Sequence, residues 1–281
     1  MTLVHAYRAD WLKLRKRPAV VIMVALLGLI VLLFGYLALY ALAGQAPEAA
    51  GPGIDRVLVL TTLSPANLPG HVLSLATGFG GALGLILGAL SVGSEFSWRT
   101  VTTTATQGPR RSTLLAARAA VLVTICAAMA VAAFAAGALG SYLVTALEPI
   151  DAQWPAAAEV ATAFGVTLLV MATWSMIGAC LAMIFRGGGW AIGLGLLYTF
   201  AFEQLLTLLP LQGRAADLLD DALIGNNTNA LVAWLSPAAA GTLTGSAPTG
   251  IAPEQAIAVL LAYLALALLV AAVLFARRDI T

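Results

Sequence analysis

The feature that most limits what this chain can fold into is a series of long segments almost without charge. A helix rises about 1.5 Å per residue, so about 20 apolar residues cross a hydrocarbon core about 30 Å thick. Six segments reach that length: 18–43, 71–93, 114–147, 157–185, 190–209 and 256–276. Composition agrees, with 61% of the 281 residues hydrophobic and 10% charged, where a soluble domain carries about 25% charged. The expected fold is an all-α integral membrane protein of six transmembrane helices, one transmembrane domain over residues 1–281. The first segment has a basic flank, and Ala41-Leu42-Ala43 imitates a cleavage site. Its apolar run exceeds the roughly 7–15 residues of a signal peptide, so it reads as a retained anchor.

Orientation follows from the basic residues. Arg8, Lys13, Arg15, Lys16 and Arg17 precede the first segment, and Arg99, Arg110, Arg111 and Arg118 surround the loop between the second and third. Arg186 lies between the fourth and fifth, and Arg277 and Arg278 follow the sixth. These twelve fall on one side of the membrane and only Arg56 and Arg214 on the other, so the positive-inside rule puts the twelve, and both termini, in the cytoplasm. No internal repeat is evident.

Absences narrow the chemistry. Lys13 and Lys16 are the only lysines, and neither sits in a G-x-x-x-x-G-K-[ST] phosphate loop. His5 and His71 are far apart and match no histidine-dependent catalytic pattern; Cys126 and Cys180 lie within apolar runs and are too few for a thiolate metal site. No catalytic residue, metal site or cofactor is expected in this chain. The net charge of +1 gives no electrostatic case for nucleic acid.

Five segments carry more information. Leu3, Tyr7, Trp11 and Leu14 mark one face of an amino-terminal helix whose other positions include Arg8, Lys13, Arg15 and Lys16. That is the profile of an elbow helix in the headgroup plane, ended by Pro18; Tyr7, Trp11, Lys13 and Arg15 are its candidate interface residues. Ser94-Glu95-Phe96-Ser97-Trp98-Arg99-Thr100, continuing to Gly108-Pro109-Arg110-Arg111, is too polar to span and too long for a turn. A short helix there, with Glu95 and Arg99 four apart and a protruding Phe96 or Trp98, suits a socket on a partner; plain topogenic charge is the alternative.

Gly80, Gly84 and Gly88 recur at the spacing that lets two helices approach closely in lipid. Glu203, costly inside a membrane helix, is expected to face a substrate path or to hold an external cap. In the external segment 211–255, Leu231, Val232, Trp234 and Leu235 form an apolar piece too short to span, expected as a re-entrant or interfacial helix, and Asn226-Asn227-Thr228 reads as a polar turn. A similar apolar piece, Val57 to Leu63, lies between the first two spans.

Glu95, Phe96, Thr100, Gly108 and Arg111 together resemble the coupling segment of type 2 ATP-binding-cassette (ABC) transporter permeases. The chain departs from that pattern at Arg99, where the family often has Gly, and at Arg118, where Lys is usual. The basic elbow, six spans, long segment before the last span and the Arg277-Arg278-Asp279 end are similar in outline. The resemblance implies a coupling helix formed by Glu95, Phe96, Trp98, Arg99, Thr100, Arg110 and Arg111. It implies as partners a cytosolic ATPase subunit, which would hold ATP and magnesium, and a second permease copy or paralogue. The implied setting is a bacterial cytoplasmic membrane, and the implied activity is export of a lipophilic or amphipathic substrate. Two other readings stay open: an ion-driven carrier, which would want more buried ionisable groups than Glu203, and a non-transporting anchor or immunity protein.

Overall fold

In lipid every backbone polar group must be satisfied within the protein, and a helix does so segment by segment. The computed structural model describes residues 2–44, 56–97, 111–149, 152–207, 213–214, 218, 221–235 and 250–277. Among them the secondary structure is helical and holds no strand. In chain order the principal helices are α1 (Leu3–Arg15), α2 (Pro18–Ala43), α3 (Arg56–Leu63), α4 (65–97), α5 (Arg111–Leu147), α6 (Ala157–Phe185), α7 (188–207), α8 (Ile224–Leu235) and α9 (Pro253–Arg277). The protein is an all-helical, multi-pass membrane protein: α2, α4, α5, α6 and α9 are each long and apolar enough to cross a bilayer. The fifth expected span appears as α7, whose apolar stretch Gly188–Phe202 is shorter than those five.

Local chemistry explains several boundaries. Arg17 is extended (φ −82°, ψ 123°) before Pro18, which opens α2 at a first-turn position where its missing N–H costs nothing. The second apolar segment becomes helical at Pro65 rather than His71, because a 3₁₀ turn at Pro65–Asn67 leads into Leu68–Leu75, where Pro69 occupies a first-turn position. Arg186 closes α6 in the left-handed conformation (φ 54°), with the Gly187 N–H reaching back to the Ala182 carbonyl.

Two helices form the centre. Within their most apolar windows α4 is 72% and α6 67% buried, against 17% for α9, which places α9 at the rim. α4 and α6 touch through their backbones. A Cβ on Gly84 would lie 2.8 Å from the Met171 carbonyl oxygen, and one on Gly88 would collide with the Ser175 carbonyl. The fit is reciprocal: a Cβ on Gly178 of α6 would collide with the Leu85 carbonyl of α4. Gly80, at the end of the stripe, would meet only side chains, those of Ala76 and Met171, at an ordinary 3.6 Å. The expected small-residue packing is therefore present at Gly84 and Gly88, with Gly178 as its counterpart and Gly80 outside the tight contact.

Two apolar clusters flank this centre. One joins α2, α4, α5 and α6 through Leu27, Tyr36, Leu87, Ile125, Met129 and Met176. The other surrounds Trp174 and contains Ile224, Leu231 and Val232 of α8 with Leu260 of α9. The apolar piece before the last span is thus a twelve-residue helix packed on its apolar face. Asn226-Asn227-Thr228 is its first turn and not a loop. Asn227 is fully buried, and its side-chain amide donates to the Asp221 and Leu223 carbonyls at 2.8 Å each, which is why polarity alone misread it.

The glycine contact gives a sharp contrast. Gly88→Ala must separate α4 from α6 and is expected to cost about 3 kcal/mol, at the upper end of overpacking penalties, whereas Gly80→Ala is expected to be near neutral. Thermal unfolding of both variants in detergent checks this.

Candidate functional site

The candidate site lies where α1, α2, α4 and α5 meet, at the root of the segment between α4 and α5. α1 packs on α5 through Ala6, Asp10 and Leu14, which recur every four residues and are all buried. Within that apolar stripe the carboxylate needs a partner, and Arg118 of α5 supplies one. Its Nε lies 3.4 Å from Asp10 Oδ2, its Nη2 3.4 Å from the same oxygen, and Lys13 Nζ approaches Oδ1 at 3.6 Å. Tyr7, stacked with Trp11 at 6.4 Å, shares a 3.1 Å hydrogen bond with Thr124 further along α5.

Two arginines then grip the last turns of α4. Arg17 donates to the Ser94 hydroxyl at 2.7 Å and to the Leu90 carbonyl at 3.4 Å, and Arg118 donates to the Ser91 carbonyl at 3.4 Å. Arg118 thus ties α4 to α1 across the start of α5. Cations at the carboxyl-terminal turns of a helix also face the negative end of its dipole. On α4's far side, Gly93 packs directly on the backbone of Gly188 at the start of α7. The end of α4 is held from three sides.

Glu95 and Phe96 lie on the final turn of α4, and Arg111 opens α5. Trp98, Arg99, Thr100, Gly108 and Arg110 lie outside the described residues, as do Arg278 and Asp279. Tyr7 and Trp11 take part in the α1–α5 contact, Lys13 pairs with Asp10 of its own helix, and Arg15 stays exposed. Asp10 was not singled out from sequence. Its signal was available: it is the one acid of a basic segment and shares a face with Ala6 and Leu14. Sequence assigns Arg17 only a topological charge, and assigns Arg118 that charge and the place where the resembled family usually has Lys.

A second polar group lies at the opposite end. Glu148, just after α5, accepts from Arg56 at 2.7 Å and from the Tyr40 hydroxyl at 3.1 Å. Glu203 is buried and accepts the Gly225 N–H at 2.8 Å, with the Tyr198 hydroxyl at 3.4 Å. Gly225 lies in the first turn of α8, where backbone N–H groups have no helical partner, so Glu203 caps that helix from a neighbouring one. The Tyr263 hydroxyl of α9 donates to the Ala222 carbonyl at 3.1 Å, tying the residues just before α8 to the last helix. Among the described residues no cluster of His, Cys, Asp or Glu could hold a metal ion.

Against known proteins, the family model that matches is described as "Protein of unknown function (DUF2705)" and covers residues 72–281. The chain belongs to this family. No curated protein matches it. The family region takes in the glycine contact, Arg118, Glu148 and Glu203, whereas α1 and α2, with Asp10 and Arg17, precede it.

Asp10→Ala leaves the Arg118 guanidinium in an apolar contact without its carboxylate. It is expected to cost about 2–3 kcal/mol, seen as a lower thermal midpoint in detergent, and Asp10→Ala with Arg118→Met is expected to recover at least half of the loss. Glu203→Ala removes only a cap, worth about 1 kcal/mol. Hydrogen exchange is expected to accelerate in α8 and to stay unchanged in α2.

Proposed function

We propose that this chain is the permease subunit of an ABC exporter. In this reading α7 completes a set of six spans, and α1 is the elbow helix. The residues between α4 and α5 form the coupling helix, and α8 is the external helix before the last span. Both termini and the coupling segment face the cytoplasm of a bacterial cell. A second permease copy or paralogue and two cytosolic ATPase subunits complete the transporter, and the cargo is lipophilic or amphipathic.

One observation carries the reading. The polar segment that begins at Glu95 is rooted in a helix end fixed by Arg17 and Arg118, and the same helix is locked to α6 by backbone contact at Gly84 and Gly88. A lever that takes a push from a docked partner needs both properties: a root that does not yield, and a stiff connection into the membrane core. Plain topogenic charge needs neither. The absence of a phosphate loop from the sequence fits a division of labour in which ATP is hydrolysed on another chain.

The test is reconstitution of the full chain with the ATPase encoded beside it. Trp98→Ala and Glu95→Ala are expected to lower substrate-stimulated ATPase activity and transport at least ten-fold, while membrane insertion and the thermal midpoint stay as in the parent. Transport unchanged in both variants, or transport by the chain alone in liposomes under an ion gradient, would overturn the proposal, and the second outcome would establish the ion-driven carrier in its place.

A further inference from the structure

We infer that the outward face of α1 is a binding surface for anionic phospholipid headgroups. The inference does not depend on an ATPase partner. It starts from the way α1 divides its side chains. The inward face is Ala6, Asp10 and Leu14. The opposite face carries Val4, Arg8, Leu12 and Arg15, at spacings of four, four and three, with Lys16 beside them, all exposed. Asp10 is the only acid of the helix, and it is turned inward to Arg118. The outer surface is therefore cationic with no acid of its own helix to offset it.

Charge alone would fit any anion; the apolar residues decide between them. Val4 and Leu12 are 57% and 54% exposed, within one turn of Arg8 and Arg15. A free phosphate gives them nothing to cover, whereas a headgroup layer offers phosphate oxygens to the guanidinium groups and acyl carbons to Val4 and Leu12 at once.

The position of the helix agrees. α1 ends just before Pro18, the start of an uninterrupted apolar helix of 26 residues. It rests on α5 at Arg118 and Thr124, near the beginning of a helix of 37 residues. That helix is about 55 Å long, well beyond a hydrocarbon core of about 30 Å. The excess length leaves room for the turns around Arg118, to which α1 is tied, to reach the level of the phosphates.

The experiment is a lipid titration of the purified full chain in detergent, read by native mass spectrometry, with phosphatidylglycerol and phosphatidylcholine as probes. Phosphatidylglycerol is expected to bind more tightly than phosphatidylcholine. The triple variant Arg8→Gln, Arg15→Gln, Lys16→Gln is expected to weaken phosphatidylglycerol binding about 100-fold, at about five-fold per cation. Arg56→Gln, at the opposite end, is expected to leave it unchanged.

Should the triple variant fail to fold, the unaltered protein still decides: raising the salt to a molar level is expected to abolish its preference for the anionic lipid. Equal binding of the two lipids, salt-independent preference, an unaffected triple variant or full competition by glycerol phosphate would each overturn the inference. So would a triple variant that keeps its lipid and loses a protein partner, which would assign the face to that partner.

Discussion

Gly88 and Gly178 allow the backbones of α4 and α6 to touch, and the rest of the bundle is arranged around that contact. Inside a bilayer there is no hydrophobic gain from pressing two apolar helices together, because lipid is as apolar as the side chains it replaces. Association must come from close packing, and packing is closest where side chains are missing. Once α4 is set against α6, α5, α7, α8 and α9 pack on one or both of them, and α1 joins through α5. α2 and α5 close one flank, α7 reaches α4 at Gly93 and through Gly195 against Leu85, and α8 and α9 lie along the flank of α6 that carries Trp174. The rim helices α2 and α9 keep large apolar side chains exposed, among them Ile22, Leu29, Leu266 and Leu269. That is the surface a bilayer requires and water would penalise.

The polar ties are distributed differently from the apolar packing. Near the middle of the bundle, the Thr173 hydroxyl donates to the Leu169 carbonyl of its own helix at 2.8 Å, so it costs little. The ties that cross between helices and carry charge lie towards the two ends. Asp10, Arg17 and Arg118 fix one; Glu148 with Arg56, and Glu203 with Gly225, fix the other. Charged groups there retain access to water or to each other, which the centre of a bilayer denies them. His71 is the exception. It is fully buried, its ring lies edge-on to Tyr36 at 4.9 Å, and its Nε2 donates to the Gly35 carbonyl inside the π-helical segment of α2 at 2.9 Å. Tyr36 in turn accepts from Ser141 of α5 at 3.0 Å. This small network joins three helices with no formal charge pair.

Much of the architecture was legible because the bilayer enforces one periodicity and one length. Segments 18–43 and 157–185 coincide with their helices at both ends; the first carries no charge and the second only Glu159 in its first turn. The glycine spacing announced a close helix contact, and Glu203 announced a partner. Other features were hidden for physical reasons. The partner of the glycines, Gly178, lies 13 residues from the other glycine of α6, Gly165, so no local spacing marks it. Asp10 and Arg118 are 108 positions apart in sequence, and a pair closed by tertiary packing leaves no local signature. Asn227 looked like a turn residue because its polarity is visible in sequence, whereas the two carbonyls it satisfies are fixed only by the fold. Residues that act through their neighbours' backbones are the ones a composition-based reading misses.

In the proposed exporter these contacts form a mechanical series. A load applied at Glu95 enters α4, whose end Arg17 and Arg118 hold to α1 and α5, so α4 cannot fray and absorb it. It crosses to α6 at Gly84 and Gly88, where carbonyl oxygens meet α-carbons and no flexible side chain intervenes. α6 packs in turn against α8 and α9, with the Thr173 hydroxyl 3.5 Å from the Leu260 carbonyl. At the far end Glu203 holds the first turn of α8, and Tyr263 the residues just before it. The step that sets this series apart from general proximity is the α4–α6 contact, since tightly packed backbones shift as one body while side-chain contacts repack. If α4 and α6 move as a unit, the compliance needed for an alternating cycle must reside in the rim helices α2 and α9, which have the least buried surface and the most lipid-facing side chains to rearrange.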